Sequence, residues 1–344
     1  MFTQYSISLN NVDLVSVNEN ILAYIAYKEA VKLLGEKNIQ LKNNMKNLRF
    51  EKDEYVKLLK HSVHPEGYEL ITFLLKIPKF LMAQLNTHRN LVRNTASSRA
   101  IPCEKYRKMV NDDTVNMEWG MAKKGMSSDE NVPEEIRLQA SLLYEEAKRN
   151  MLDSHIKLEK LGIHKEFTNR LLEPFAYTYT IVTGTEWLDF IKLRKTQEAQ
   201  KQMREIAEQI SWLKDNSVEK NYVNYGEWHI PMVDESDNLS IADSMIMGIA
   251  RCAWISYNNH QKEATIEDAE SMVESLINNK HLSPLEHCQV CVKTYSDCKE
   301  DLSKFTNNAK NYLKNNFAYY NNMIVHTRQY KGFYSYRSIV EDHE

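Results

Sequence analysis

The chain is short of the residues that break regular structure. It has nine glycines and seven prolines in 344 residues. A collagen-like or low-complexity disordered chain needs far more of both. No apolar run approaches membrane-spanning length, so no membrane association is expected. The net charge is only −3. No global field would draw in a nucleic-acid polymer, and no such partner is expected. The opening residues, MFTQYSISLNNVDL, lack a basic start followed by an apolar core, so no signal peptide is expected. Cysteine is scarce too, at five. An odd count without a secretory signal argues against a disulfide framework and for reduced thiols in a cytoplasm.

What is present is enough to fold. Hydrophobic residues make up 42% of the chain, which allows a sizeable core in two domains or one elaborated domain. Residues 1–17 alternate weakly and read as a strand. Residues 19–34 have helical periodicity and stop at Gly35. Residues 68–77 (YELITFLLKI) read as a buried strand, and Pro78 suits the first turn of a helix running to about His88. Residues 100–130 read as an extended loop over a site. Residues 133–161 form the clearest helix and end at Gly162. An apolar segment (YTYTIVTG) follows, then helices over 185–194 and 197–213. The fold class is α+β, with mixed helices and an antiparallel sheet.

Residues 216–239 are polar and irregular and read as a linker between a first region, 1–215, and a second α/β region, 240–344. The second region opens with helices over 241–257 and 266–279. Ser283-Pro284-Leu285-Glu286 has the form of a capping box with proline at the first helical position. Residues 60–76 and 280–295 share Lys-His, a nearby proline and a strand-like run. This reads either as a degenerate half-repeat or as chance. His281, His287, Cys288, Cys291 and Cys298 invite a zinc reading. A strand over 288–295 would point Cys288 and Cys291 to opposite faces, so no metal is expected.

The most informative stretch is 84–102, QLNTHRNLVRNTASSRAIP. His88, Arg89, Arg93 and Arg99 sit among Asn94, Thr95, Ser97 and Ser98. Forked guanidiniums match phosphate oxygens, and short hydroxyls and loop amides fill the gaps, so the stretch has the inventory of a phosphate cup. A solvated basic loop would have the same composition. The spacing says more. His88-Arg89, seven residues, then Ser97 resembles the signature of the flavin-dependent (ThyX) thymidylate synthases, Arg-His-Arg, seven residues, Ser, with Thr87 in place of the first Arg.

Other blocks carry the same resemblance in the family's order. Residues 77–89 are similar to the helix leading into the signature. Gly162 to Pro174 resembles the Gly…Glu…Ala-Arg…Leu-Pro segment, and Thr183 to Gln200 the Asn…Phe-Leu…Leu-Arg…Ala-Gln segment. Residues 227–231 (EWHIP), 250–253, 283–287 and 334–337 resemble pieces of the longer phage and bacterial members. The resemblance covers most of 60–340. It implies a ThyX-like fold, with 1–215 as the catalytic domain and 240–344 as a related C-terminal region.

The implied reaction methylates dUMP to dTMP. Methylenetetrahydrofolate gives the carbon, FAD reduced by NADPH gives the hydride, and no enzyme nucleophile is used. The chain is expected to act in a cytoplasm, the host's if it is phage-encoded, as a homo-oligomer, a tetramer or a dimer, because family members share active sites between subunits. Two alternatives stay open: the same cofactors with another product or base (hydroxymethylation of dUMP, or dCMP as acceptor), and a nucleotide-binding subunit that has lost the flavin.

By the resemblance, Arg194 is the catalytic residue, polarising the uracil ring. Its face of a helix is shared with Trp187, Phe190 and Ile191, where the plainer reading is a packed stem with a solvated head. Gln84, Thr95, Ser97, Ser98, Arg99 and Arg170 fall at substrate-binding positions, Arg99 on the monophosphate. The plainer reading of Arg170 is a surface salt bridge. Thr87, His88, Arg89, Thr183 and Asp189 fall at flavin-binding positions; His88 near a helix end also suits a capping donor. Thr183, Thr185 and Asp189 depart from the family's usual flavin contacts, and Arg93 could replace the charge lost at Thr87. Cys103 follows a proline, as does the nucleophile of the folate-only synthases, but an inert thiol is the better reading.

Overall fold

A computed structural model describes residues 48, 50–125, 128, 132–217, 220–234, 237–257, 264–292 and 330–341. The strand expected over 1–17 and the helix over 19–34 lie outside them.

Strands β1 (Val56–Val63) and β2 (Glu69–Pro78) form an antiparallel hairpin, with a bulge between Leu58 and Lys60. Gly67 takes φ +85° in its turn, a left-handed conformation that glycine adopts without strain. The helix expected from Pro78 to His88 is shorter: a 3-10 turn (Lys79–Leu81) and then α1 (Met82–Asn86). The Thr87 hydroxyl donates to the Gln84 carbonyl at 2.7 Å, serving a carbonyl that the helix end leaves free. β3 (Val92–Thr95) follows.

Helix α2 (Cys103–Asp112) stands where an extended loop was expected. Tyr106 and Val110, one turn apart, bury against Ile101, Leu172 and Phe175, so tertiary packing supplies what the local sequence signals did not. The long helix α3 (Glu134–Lys160) follows its expected span, and Gly162 after it takes φ +78°. Then come the single turn α4 (Lys165–Thr168), a 3-10 stretch (Asn169–Phe175), β4 (Tyr177–Gly184), α5 (Trp187–Arg194) and α6 (Lys201–Asn216).

Short strands β5 (Asn221–Tyr222) and β6 (Trp228–His229) lead to α7 (Ile241–Trp254), a 3-10 turn (Ile255–Tyr257) and α8 (Ile266–Asn278). Residues Ser283–His287 form a 3-10 turn whose N-cap is Leu282, so the capping box expected there does not form. The Glu286 carboxylate receives Arg337 at 2.9 Å instead. Strands β7 (Gln289–Cys291) and β8 (Phe333–Ser335) and helix α9 (Tyr336–Glu341) complete the described chain.

The main sheet has the order β3-β4-β2-β1-β5, antiparallel except for β1 with β5, and β6-β7-β8 form a second antiparallel sheet. The architecture is α+β. β2 lies inside the sheet and is buried on both faces, which explains its unbroken apolar run. Side chains alternate along a strand. Ile71, Phe73, Leu75 and Ile77 pack against Trp187, Phe190, Met203, Ile206 and Ile210 of α5 and α6. On the other face, Leu74 meets Met232, Cys252 and Ile255, while Leu70 meets Cys291, Tyr330 and Phe333.

Candidate functional site

β3 divides the 84–102 stretch. A four-residue strand spans about 13 Å at roughly 3.3 Å per residue, so the side chains of the cup fall into two clusters, one at each end.

At the first end, Arg194 reaches the turn after α1. The residue ends α5, whose Trp187, Phe190 and Ile191 are buried in the sheet-facing core, so the helix delivers its last side chain to a fixed place. Its Nε donates to His88 Nε2 at 3.0 Å. Its Nη2 donates to the Gln84 carbonyl and to Thr87 Oγ1, both at 2.9 Å. An arginine can only donate, so His88 Nε2 is the acceptor and the neutral ring carries its proton on Nδ1. Burial, then the charges of Arg194 and Arg93, push the His88 pKa down to about 4, which keeps the ring neutral near pH 7. Its ring packs edge-on to Phe190 at 4.8 Å. The Gln84 amide nitrogen donates to Gln200 Oε1 at 3.0 Å.

Arg93 Nη1 donates to the carbonyls of His88 and Leu91, both at 3.0 Å, so it ties the turn together, and its charge acts on His88. Arg89 and Asp189 are exposed, and Arg89 meets no carboxylate among the described residues.

At the second end, Ser98 Oγ donates to Glu173 Oε1 at 2.6 Å, and Arg170 lies 3.9 Å from the other Glu173 oxygen. Arg99 is 58% exposed and 3.5 Å from Glu166. Asn169, fully buried, donates to the carbonyls of Ser98 and Ile101 at 2.8 and 2.9 Å and accepts from His155 Nε2 at 2.8 Å. Lys79 donates to the Ala96 carbonyl at 3.3 Å, and burial lowers its pKa. Lys79, Ser98, Tyr106 and Tyr177 line a small cavity there.

Thr95 and Thr183 lie between these ends and point inward. Thr95 Oγ1 meets Thr180 Oγ1 at 2.8 Å. Thr183 is fully buried, and its hydroxyl is shared by Thr72 at 2.6 Å and His287 Nδ1 at 2.8 Å. Thr72 in turn meets His229 Nε2, and His229 Nδ1 meets Ser62, each at 2.8 Å. This is a continuous buried polar chain between the sheet and the C-terminal region. Cys103 Sγ lies 3.4 Å from Thr168 Oγ1.

The structure thus brings Gln84, Thr87, His88 and Arg194 together. It groups Ser98 with Arg170 through Glu173, leaves Arg99 at the surface, and takes Thr183 into the interior. Sequence reading did not single out Lys79 and Glu173, though each lies inside a quoted family-like segment.

The model of the family described as thymidylate synthase complementing protein matches residues 17–213, more than half of the chain. The chain belongs to that family. Two solved structures, both of a UMP/dUMP methylase, PolB, from Streptomyces cacaoi, are similar to it. The one bound with 5-Br UMP is 17% identical with a TM-score of 0.37, covering 46% of this chain and 88% of its own. The one bound with 5-Br dUMP is 16% identical with a TM-score of 0.34, covering 52% and 75%. No curated protein matches.

Proposed function

We propose that the protein methylates dUMP to dTMP, taking the carbon from methylenetetrahydrofolate and the hydride from FAD that NADPH has reduced. The observation that carries this reading is the docking of Arg194 on the 84–88 turn, three hydrogen bonds from residues 110 to 106 positions away in sequence. They engage Nε and Nη2 and leave Nη1 without a hydrogen bond among the described residues. A guanidinium held on one edge and open on the other is a preorganised donor for negative charge developing on a pyrimidine carbonyl.

The donor set at the first end suits a flavin dinucleotide. Arg89 offers an exposed guanidinium for a diphosphate, and the Nδ1–H of neutral His88 is a second donor. Asp189 is an acceptor and suits a hydroxyl or ring N–H. Thr183 does not suit a flavin contact, because its hydroxyl is buried and already shared. When bound, FAD supplies the hydride. At the second end, Ser97, Ser98, Arg99 and Arg170 are the nucleotide residues, with exposed Arg99 on the monophosphate. With the two ends set apart by β3, the site is read as shared, one chain's nucleotide turn meeting another's Arg194. This supports the homo-oligomer.

Purified protein should carry a flavin and convert dUMP to a product with the mass of dTMP, dependent on NADPH and methylenetetrahydrofolate. A hydroxymethyl product, or turnover of dCMP alone, would move the reading to another product or base. Binding of dUMP by a flavin-free protein without turnover would make it a nucleotide-binding subunit.

A further inference from the structure

We propose that residues 252–256, which lie beyond the segment matched by the family model, clamp the nucleotide-binding turn at 96–99, with Ser256 as the positioning residue. Three hydrogen bonds carry the inference. Asn94 Nδ2 donates to the Cys252 carbonyl at 2.7 Å, Ser256 Oγ donates to Asn94 Oδ1 at 3.0 Å, and the Ser97 amide donates to the Ser256 carbonyl at 3.0 Å. Both ends of one buried side-chain amide are therefore taken by a single short segment, and that segment also receives the Ser97 amide of the turn. Asn94 is 8% exposed, so leaving its amide unpaired is costly.

The clamp has a fixed base. Cys252 and Ile255 are fully buried, in one cluster with Leu74 and Ile181 of the two central strands. The 3-10 turn Ile255–Tyr257 then presents the hydroxyl and carbonyl of Ser256 to the end of β3. From the opposite side, Asn169 holds the carbonyls of Ser98 and Ile101. Ser97, Ser98 and Arg99 are thus gripped between a residue of the family-matched segment and one outside it. The C-terminal region enters the site as a support of the turn.

The proposal rests on reading this turn as the nucleotide site, so its test separates the two. In the full chain, Ser256→Ala should raise the Kd and KM for dUMP about threefold to tenfold, the worth of one hydrogen bond, with kcat and flavin content unchanged. Ser256→Thr, which keeps the hydroxyl, should restore binding. Unchanged dUMP affinity in Ser256→Ala, or a loss that Ser256→Thr does not rescue, overturns the clamp. If wild-type protein binds no dUMP, the functional reading fails, and the clamp is read from hydrogen–deuterium exchange. Amides 97–101 should exchange faster in Ser256→Ala than in wild type, and identical exchange overturns it.

Discussion

The two faces of strand β2 solve burial in opposite ways. Toward α5 and α6 the strand presents Ile71, Phe73, Leu75 and Ile77, with Glu69 at its start paired to Lys214 at 2.6 Å, and Phe73 stacks edge-on to Trp187 with ring centroids 4.9 Å apart. Toward the C-terminal region it presents Thr72, the middle link of the Ser62–His229–Thr72–Thr183–His287 chain. The first face is non-directional and gains by area removed from water. The second tolerates only one arrangement, because each link is buried and must meet the next, while His287 Nε2, also buried, has no hydrogen-bond partner among the described residues. The helical face is therefore a stability device, and the polar face fixes where the C-terminal region, and with it Ser256, sits against the site.

That contrast can be broken by substitution and by acid. The largest effect is expected on the apolar face: Phe73→Ala should cost about 3–5 kcal/mol in urea unfolding, while leaving the pH dependence of stability unchanged. A cost below about 1 kcal/mol would mean the face is loosely packed. Acid should act on the polar face. Burial pushes the His287 pKa down to about 3 and that of His229 well below its usual 6.5. A ring depressed in this way is neutral when folded, whereas the unfolded chain takes up its proton below about pH 6.5. The stabilisation is present above 6.5 and is lost as pH falls from there toward about 3 for His287. Together the two rings should remove about 2 kcal/mol over the first pH unit below 6.5, visible as a falling Tm. A flat Tm between pH 6.5 and 5.5 would contradict neutral burial of these rings. Thr72→Val is the finest probe. It keeps the shape but leaves His229 Nε2 and Thr183 Oγ1 short of a partner, and should cost about 1–3 kcal/mol. A neutral result would show that the chain of hydroxyls and imidazoles re-forms without it.

The same contrast explains what the sequence could disclose. The 68–77 run, the helix over 133–161 and the face shared by Trp187, Phe190, Ile191 and Arg194 are periodic signals. All three segments adopt the expected form, give or take a few residues. The meeting of Arg194 with Gln84 and His88 followed from family-like spacing rather than periodicity. Helix α2 was hidden because Pro102 and the nearby breakers mark a loop locally, while Tyr106 and Val110 are buried by residues some 70 positions away. β3 was hidden because its four residues are mostly polar and its form comes from pairing with β4. The buried partners of Thr183, placed by the resemblance at a flavin position, were hidden because Thr72 and His287 are more than 100 residues away on either side. Ser256 is one serine among many until its bond to Asn94 is seen.

The central claim is that Arg194, steadied by Gln84, Thr87 and His88, polarises a uracil ring at carbon 5. The direct test is tritium release from dUMP labelled at that carbon, with NADPH and methylenetetrahydrofolate present. Wild-type protein should release tritium in step with dTMP formation. Arg194→Ala should release it about a hundredfold more slowly or worse while still binding flavin. An Arg194→Ala protein that releases tritium at the wild-type rate would contradict the account.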